Sequence, residues 1–382
     1  MAISLNNSVS SATSSGSKDS SVFSPKKILL IKLGAVGDLV IASPFFESLR
    51  GYYPQSEIIL LTGQSSFFTV QNNPNIDRLL ITDDYSLFRR NSLLQPLEFL
   101  RVLLALKKEK FDMVFILHRA WQFNFLAFLT GASRRVGFAR GNEGVLLTDQ
   151  VIPQENRNER EIYLDLLRVA DIPVSTKMTS FYMSDEEKVF IDLFYERHRI
   201  DEDDILIAIA PGGGVNAKSA MYIKRWPIGN YIQLVKRIHK EMNFRVVVLG
   251  GPDDRAIAAQ IEQEVPNIID GSDLTVGEMA SLLQRCNLFI GNDSGPLHVA
   301  CAMDISSISL FGPTNPMEWA PSEECNTVIY KKVPCSPCFS QGFFPDCDHL
   351  SCLTSIQVEE VFGRVKSHFS SEKESSRSAL VQ

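Results

Sequence analysis

Long apolar runs are missing from this chain. No segment reaches the ~18 uninterrupted apolar residues of a membrane-spanning helix, so none is expected. Dense basic blocks are missing as well. Net charge is −7 over 382 residues, which argues against nucleic acid as a partner. Basic residues occur as short pairs, Arg89-Arg90, Lys107-Lys108 and Arg134-Arg135. These read as solvated faces, with contact to anionic lipid head groups at the inner membrane leaflet as the sharper alternative. The N-terminus, MAISLNNSVSSATSSGSKDSS, has neither a basic n-region nor an apolar core, so it is not a secretory signal and a cytoplasmic protein is expected. Seven cysteines, an odd number, do not suggest a disulfide framework in that compartment.

What is present is an ordinary globular composition, 45% hydrophobic and 22% charged, over a length that suits roughly two domains. The serine-rich residues 1–24 and residues 370–382 read as disordered tails. Between them, strand and helix signals alternate. KKILLIKL (26–33) is a continuous apolar run suited to a strand buried on both faces. EIILLTG (57–63), FDMVFILH (111–118) and RRVGF (134–138) continue the series. SDEEKVFIDLFYERHRIDEDD (184–204) is a polar helix opened by Ser184 with Glu187 three residues on. The pattern then restarts: ILIAIAPGG, RVVVLGGPDD, NIIDG, NLFIGNDSG and SSISLFGPT each end an apolar run in Gly, Asp or Ser. The expected fold is α/β, with two parallel sheets flanked by helices in domains spanning 25–183 and 184–369. Ligands in such sheets sit at the carboxyl ends of the strands.

Several loops are candidates for chemistry. In KLGAVGDLVIASPFFESLR (32–50), Gly34 and Gly37 permit a tight turn after the first strand. Asp38 has two readings. It is an acid facing a positive helix end, or, if Ser43 caps a helix with Pro44 at its first position, it is a base held in a loop. The spacing is G-x-x-G, and the second strand ends Leu61-Thr62-Gly63 without a ribose-binding acid, which excludes a dinucleotide site. Gly212 to Ser219 reads G-x-x-x-x-A-K-S, one residue from a triphosphate loop. Ala217 replaces the required glycine, and Pro227 interrupts the helix that should follow. The segment is therefore a glycine-rich turn and an excursion, with the helix beginning at Trp226-Pro227, Lys224 nearest the cleft and Lys218 in solvent. In FIGNDSGPLHVACAM (289–303), Ser294 can cap a helix with Pro296 in its first turn, leaving amides for an anion. His298 follows on the same helix, and the plainer alternative is a simple cap with a satisfied histidine. Asp253 and Asp254 either accept from ribose hydroxyls or cap the next helix. The Asp201–Asp203 pair does not read as a metal motif, and no metal or cofactor is expected at the reaction site. Cys335, Cys338, Cys347 and Cys352, with His349 among them, read either as reduced thiols ordering a loop or as a structural zinc site.

Taken together, ILLIKLGAVGDLVIASPFFESLR, RRVGF, APGGG with the later KRWP, VVVLGGPDD, and GNDSGPLHVA followed by LFGPTNPMEWAP resemble glycosyltransferase family 9, the ADP-heptose:lipopolysaccharide heptosyltransferases. The resemblance covers roughly residues 26–366. It implies a GT-B fold, two facing Rossmann-like domains with the active site between them, and a metal-independent inverting transfer from a nucleotide-sugar donor to a lipid-linked saccharide. It implies that Asp38 is the general base and that Lys224 contacts phosphate. The amides around Ser294, Gly295 and Pro296 hold the diphosphate. Asp293, His298, Gly212 and Gly213 lie on the donor side, with Asp253 near the nucleoside. Two features depart from the family pattern: the long stretch from Pro211 to Lys224, which leaves the sugar open, and the serine-rich N-terminus. A nucleotide-sugar 2-epimerase on the same scaffold and a non-catalytic sugar-nucleotide-binding module are the alternative readings.

Overall fold

The apolar run that begins the ordered chain becomes β1 (Lys27–Ile31), and it is buried from Ile28 onward. Its side chains alternate between two cores. Ile28 and Leu30 join one cluster, while Leu29 and Ile31 join another on the opposite face. A central strand covered on both sides has to read as continuously apolar, which is why this segment does. The computed structural model describes residues 23–85, 95–214, 221–322, 324–340 and 343–379. The expected tail over 1–24 lies almost wholly outside these, as do Arg89-Arg90, Ala217 and Lys218.

Six parallel strands form the first sheet in the order β3-β2-β1-β4-β5-β6. The others are β2 (Glu57–Gly63), β3 (Arg78–Thr82), β4 (Met113–Ile116), β5 (Arg134–Phe138) and β6 (Asp149–Val151). The second sheet repeats this topology as β12-β11-β10-β7-β8-β9. Its strands are β7 (Leu206–Ala210), β8 (Arg245–Leu249), β9 (Ile269–Gly271), β10 (Leu288–Asn292), β11 (Ser307–Phe311) and β12 (Asn326–Tyr330). Here too the central strand alternates, with Ile207 and Ile209 in one core and Leu206, Ala208 and Ala210 in the other. Each lobe is thus a doubly wound α/β unit. The chain passes from the first to the second through residues 170–184, between the helices Glu159–Val169 and Asp185–His198. Ser184 and Glu187 form the expected reciprocal cap, with bonds of 3.2 and 2.7 Å.

The strand order reverses between β1 and β4, and again between β7 and β10. Crevices open at such switch points, beyond the carboxyl ends of the strands. The loops after β1, β4, β7 and β10 therefore define where a ligand would sit. One expectation fails at the C-terminus. Residues 370–379 are not a tail but the last turns of the helix Val358–Ala379. Val361, Phe362, Val365 and Phe369 anchor that helix in the second lobe's core, and no proline or glycine follows Gly363 to stop it.

Candidate active site

After β1 the chain enters a short helix, Val36–Ile41, then bends at Ala42 into a second, Ser43–Tyr52, with Pro44 at its start. Asp38 is therefore in the first turn of a helix, as the acid-at-a-helix-end reading has it, and not in the loop that the other reading required. Its carboxylate reaches back to the Ala35 amide at 3.0 Å. It also accepts from Lys32 Nζ at 3.2 Å, while its side chain stays 25% exposed. Pro44 does start a helix, but Ser43 does not cap it, since its hydroxyl donates to Val40 O at 2.7 Å.

Lys32 was not singled out from the sequence. A lysine closing an apolar strand run must find partners if buried, and that is the signal that could have exposed it. Its ammonium donates to Tyr163 Oη at 2.7 Å. Below this, buried Glu159 pairs with Arg119 from the loop after β4. Burial raises the Glu159 carboxyl, opposed by Arg119 and Lys32. Burial likewise raises the Tyr163 phenol, aided by Glu159 and Asp38. The base candidate is thus seated on a polar floor made of Lys32, Tyr163, Glu159 and Arg119.

Facing it is the helix Gly295–Ala302, which follows β10. Pro296 lies in its first turn as expected, but Ser294 does not cap it. The Ser294 hydroxyl donates to Asn292 O at 3.3 Å, and no side chain caps the helix. Pro296 has no N–H, so the amides of Ser294 and Gly295 are the ones this end offers to an anion. Asp293, buried beside it, accepts from Lys224 Nζ at 2.8 Å and Thr314 Oγ1 at 2.7 Å. Burial would raise the Asp293 carboxyl, but Lys224, His298 and Thr314 together hold it below its ordinary value. His298 Nε2 stands 4.0 Å from Asp293. Burial depresses the imidazole despite the acids at 293 and 38, so it is neutral near pH 7.

The two lobes meet at glycines. A Cβ on Gly37 would fall 2.8 Å from His298 Cδ2, and one on Gly295 would fall 3.2 Å from Val36 Cγ1. The helix bearing Asp38 and the uncapped helix end are in direct backbone-close contact, so Asp38, Asp293 and His298 lie at one junction.

The loops of the second lobe converge on Asn292, which sequence reasoning overlooked. Its buried amide donates to Pro211 O and Gly212 O at 3.0 Å each. Its oxygen accepts from Trp226 N and Tyr231 Oη at 3.1 Å each. One side chain thus ties β10, the glycine turn and the helix Ile228–Met242. Lys224 lies in a single turn, Tyr222–Lys224, just before that helix, so the helix does begin where Trp226-Pro227 indicated. Gly213 lies against the Met221 carbonyl, with room for no Cβ. Of the two acids after β8, Asp253 is exposed. Asp254 turns inward, abutting Gly212 and accepting from Arg225 Nη2 at 2.7 Å.

The cysteine segment gathers no site. All seven thiols are free, and no group of three or more His, Cys, Asp or Glu among the described residues is placed to hold a metal. Cys352 is buried in the second core, which pushes its thiol up to about 11. No helix among the described residues is long and apolar enough to cross a membrane.

Two facing Rossmann-like lobes with polar loops meeting at both switch points define a GT-B enzyme. Residues 99–344 match the sequence profile of glycosyltransferase family 9 (heptosyltransferase); the chain belongs to that family and is a glycosyltransferase. It is 23% identical over 359 residues to the lipopolysaccharide core heptosyltransferase OpsX of Haemophilus influenzae, covering 90% of this chain and 96% of that protein. It is 24% identical over 301 residues to lipopolysaccharide heptosyltransferase 3 of Escherichia coli, covering 75% and 83%. The fold is shared with a family 9 glycosyl transferase from Veillonella parvula (TM-score 0.74, 22% identity, 90% and 97% covered). It is also shared with the E. coli ADP-heptose lps heptosyltransferase II (TM-score 0.68, 19% identity, 91% and 99% covered).

Proposed function

We propose that this enzyme transfers heptose from ADP-heptose to a lipopolysaccharide-core or related lipid-linked saccharide at the cytoplasmic face of the inner membrane, with inversion at the anomeric carbon. Asp38 takes the proton from the acceptor hydroxyl as that oxygen attacks. Charge then grows on the departing diphosphate, which the Ser294 and Gly295 amides and Lys224 stabilise. Preorganised donors of this kind are worth about 3–4 kcal/mol each on a developing anion. Because fixed protein cations and amides supply that charge, the reaction proceeds without a metal, and a chelator leaves turnover unchanged. Neutral His298 and ionised Asp293 hold Lys224 and the helix end in register. The names and full-length match of the relatives support the substrates. The observation that carries the mechanism is the contact of Gly37 with His298, which sets a part-exposed carboxylate opposite an uncapped helix end.

The test is incubation with ADP-heptose and a lipid A–Kdo acceptor, assayed for ADP and for the extended saccharide. Asp38→Asn keeps the shape and loses the basicity. Its kcat is expected to fall by about 10²–10⁴-fold with donor affinity nearly intact. A new sugar nucleotide formed without acceptor, or loss of donor binding in Asp38→Asn, contradicts the reading.

A further inference from the structure

Two helices on one face of the first lobe turn apolar side chains to solvent at helical spacing. Leu97, Leu100 and Leu104 lie along the helix Gln95–Glu109, and Trp121, Phe125 and Phe128 along the helix Trp121–Thr130. All six are between 37% and 64% exposed. Offsets of three, four and seven residues put each trio on one stripe. The two helices touch beside the stripes, where the half-buried Phe99 stacks on Phe125 with centroids 6.4 Å apart. The opposite sides of both helices already fill the core, through Val102, Leu106, Phe123 and Leu126. The outer stripes are therefore additional to what folding requires. Contiguous exposed patches of this kind mark contact surfaces.

The charges around the patch identify the partner. Lys107, Lys108 and Lys110 are exposed, as is Arg101, which pairs with Glu98 at 3.2 Å. The acids of the same helix are turned inward: Glu98 accepts from Thr82 Oγ1 at 2.8 Å, and Glu109 pairs with Lys27 and Arg78 at 2.8 Å. The second helix carries no charge at all. A chain of net charge −7 thus presents one face that is apolar, aromatic and cationic. Aromatic and aliphatic side chains with snorkelling lysines suit the boundary between acyl chains and anionic head groups. Both helices start at the carboxyl ends of parallel strands, the end where the cleft lies, and the first runs along the lobe to Lys107 and Lys108 at the other end, so the face flanks the cleft. We infer that the face formed by the helices Gln95–Glu109 and Trp121–Thr130 docks on an anionic lipid bilayer and brings the cleft to a membrane-anchored acceptor. The last clause rests on the function proposed above, while the docking itself does not.

The experiment is co-sedimentation of the full chain with vesicles of phosphatidylethanolamine and phosphatidylglycerol, set against phosphatidylcholine vesicles. The triple variant Leu100→Ser/Leu104→Ser/Phe125→Ser is expected to lower binding to the anionic vesicles by roughly tenfold or more. Lys107→Glu/Lys108→Glu, which removes no packing, is expected to weaken binding in a salt-dependent way and gives a second reading if the triple variant melts early. ADP release from a soluble, acyl-free acceptor should be unchanged in both, and release from an acceptor embedded in the vesicles should fall. Wild-type vesicle binding that is absent, or unaltered in both variants, overturns the proposal. So does a wild-type dimer in sedimentation velocity that the triple variant abolishes, since a second copy would then own the face. Failure of turnover on both acceptors with vesicle binding intact counts against the substrate assignment instead.

Discussion

Lys224 is held by the same acid that its proposed role on the diphosphate would require it to share. Its ammonium donates to both the carbonyl and the carboxylate of Asp293, at 3.3 and 2.8 Å. Removing it leaves a buried carboxylate whose other partners are Thr314 and a neutral imidazole. Lys224→Met is therefore expected to lower stability by up to about 3 kcal/mol, the low end for a broken buried pair because the ammonium keeps some solvent contact. It should also weaken donor binding and turnover. The double variant Lys224→Met/Asp293→Asn separates the two effects: thermal melting should recover while kcat/KM does not. Recovery of both would make Lys224 a structural partner only. At this scale the sequence was legible where a motif marked a position. Asp38, Lys224, Asp293 and His298 all stand at the cleft. It was not legible where the task depends on distant partners. Asn292 looks like any polar residue closing a strand, yet its partners lie 61 to 81 positions away. Lys32 and Tyr163 are 131 residues apart.

The helix Val36–Ile41 and the helix Gly295–Ala302 are the elements whose meeting creates the site. Gly37→Ala places a methyl 2.8 Å from the buried His298 ring, closer than a Cβ tolerates. The substitution should lower kcat/KM by more than tenfold, roughly 1.4 kcal/mol, with little change in the far-ultraviolet spectrum. Unchanged kinetics would mean that the two helices are not in contact during turnover. Central strands were readable from sequence because both faces are buried and the run is apolar. Those that escaped, β3, β6 and β12, are all sheet edges. RLLIT is half exposed and DQV is only three residues long, so neither carries the apolar signature. The start of the helix Ile228–Met242 was legible too, because Pro227 sits at its N-cap instead of breaking it.

Across the whole molecule, the cleft end and the far end of the first sheet are built differently. At the far end Lys27, Glu57, Arg78 and Glu109 form one ion network tying the starts of β1, β2 and β3 to a helix terminus. The Arg78 guanidinium, then Lys27, holds the Glu109 carboxyl down at about 2 against an ordinary 4.5. A carboxyl depressed by folding stabilises the fold above its unfolded value, and that contribution is lost as pH falls between 4.5 and about 2. Glu109→Gln should therefore lower the melting temperature at pH 7 and converge with the parent protein towards pH 2. A constant gap across that range would show that the network adds nothing pH-linked. The two-domain α/β plan was legible because the strand series restarts. The C-terminal helix was not, since its final turns are rich in serine and charge.

The chain crosses from one lobe to the other through residues 170–184, with β1 to β6 wholly before and β7 to β12 wholly after. The halves of this enzyme are therefore modular at the level of the gene. Recombination at that crossing could exchange the lobe bearing Asp38 for a homologous one while every hydrogen bond around Asn292 and Lys224 is inherited intact, so that preferences residing in the two lobes could evolve independently.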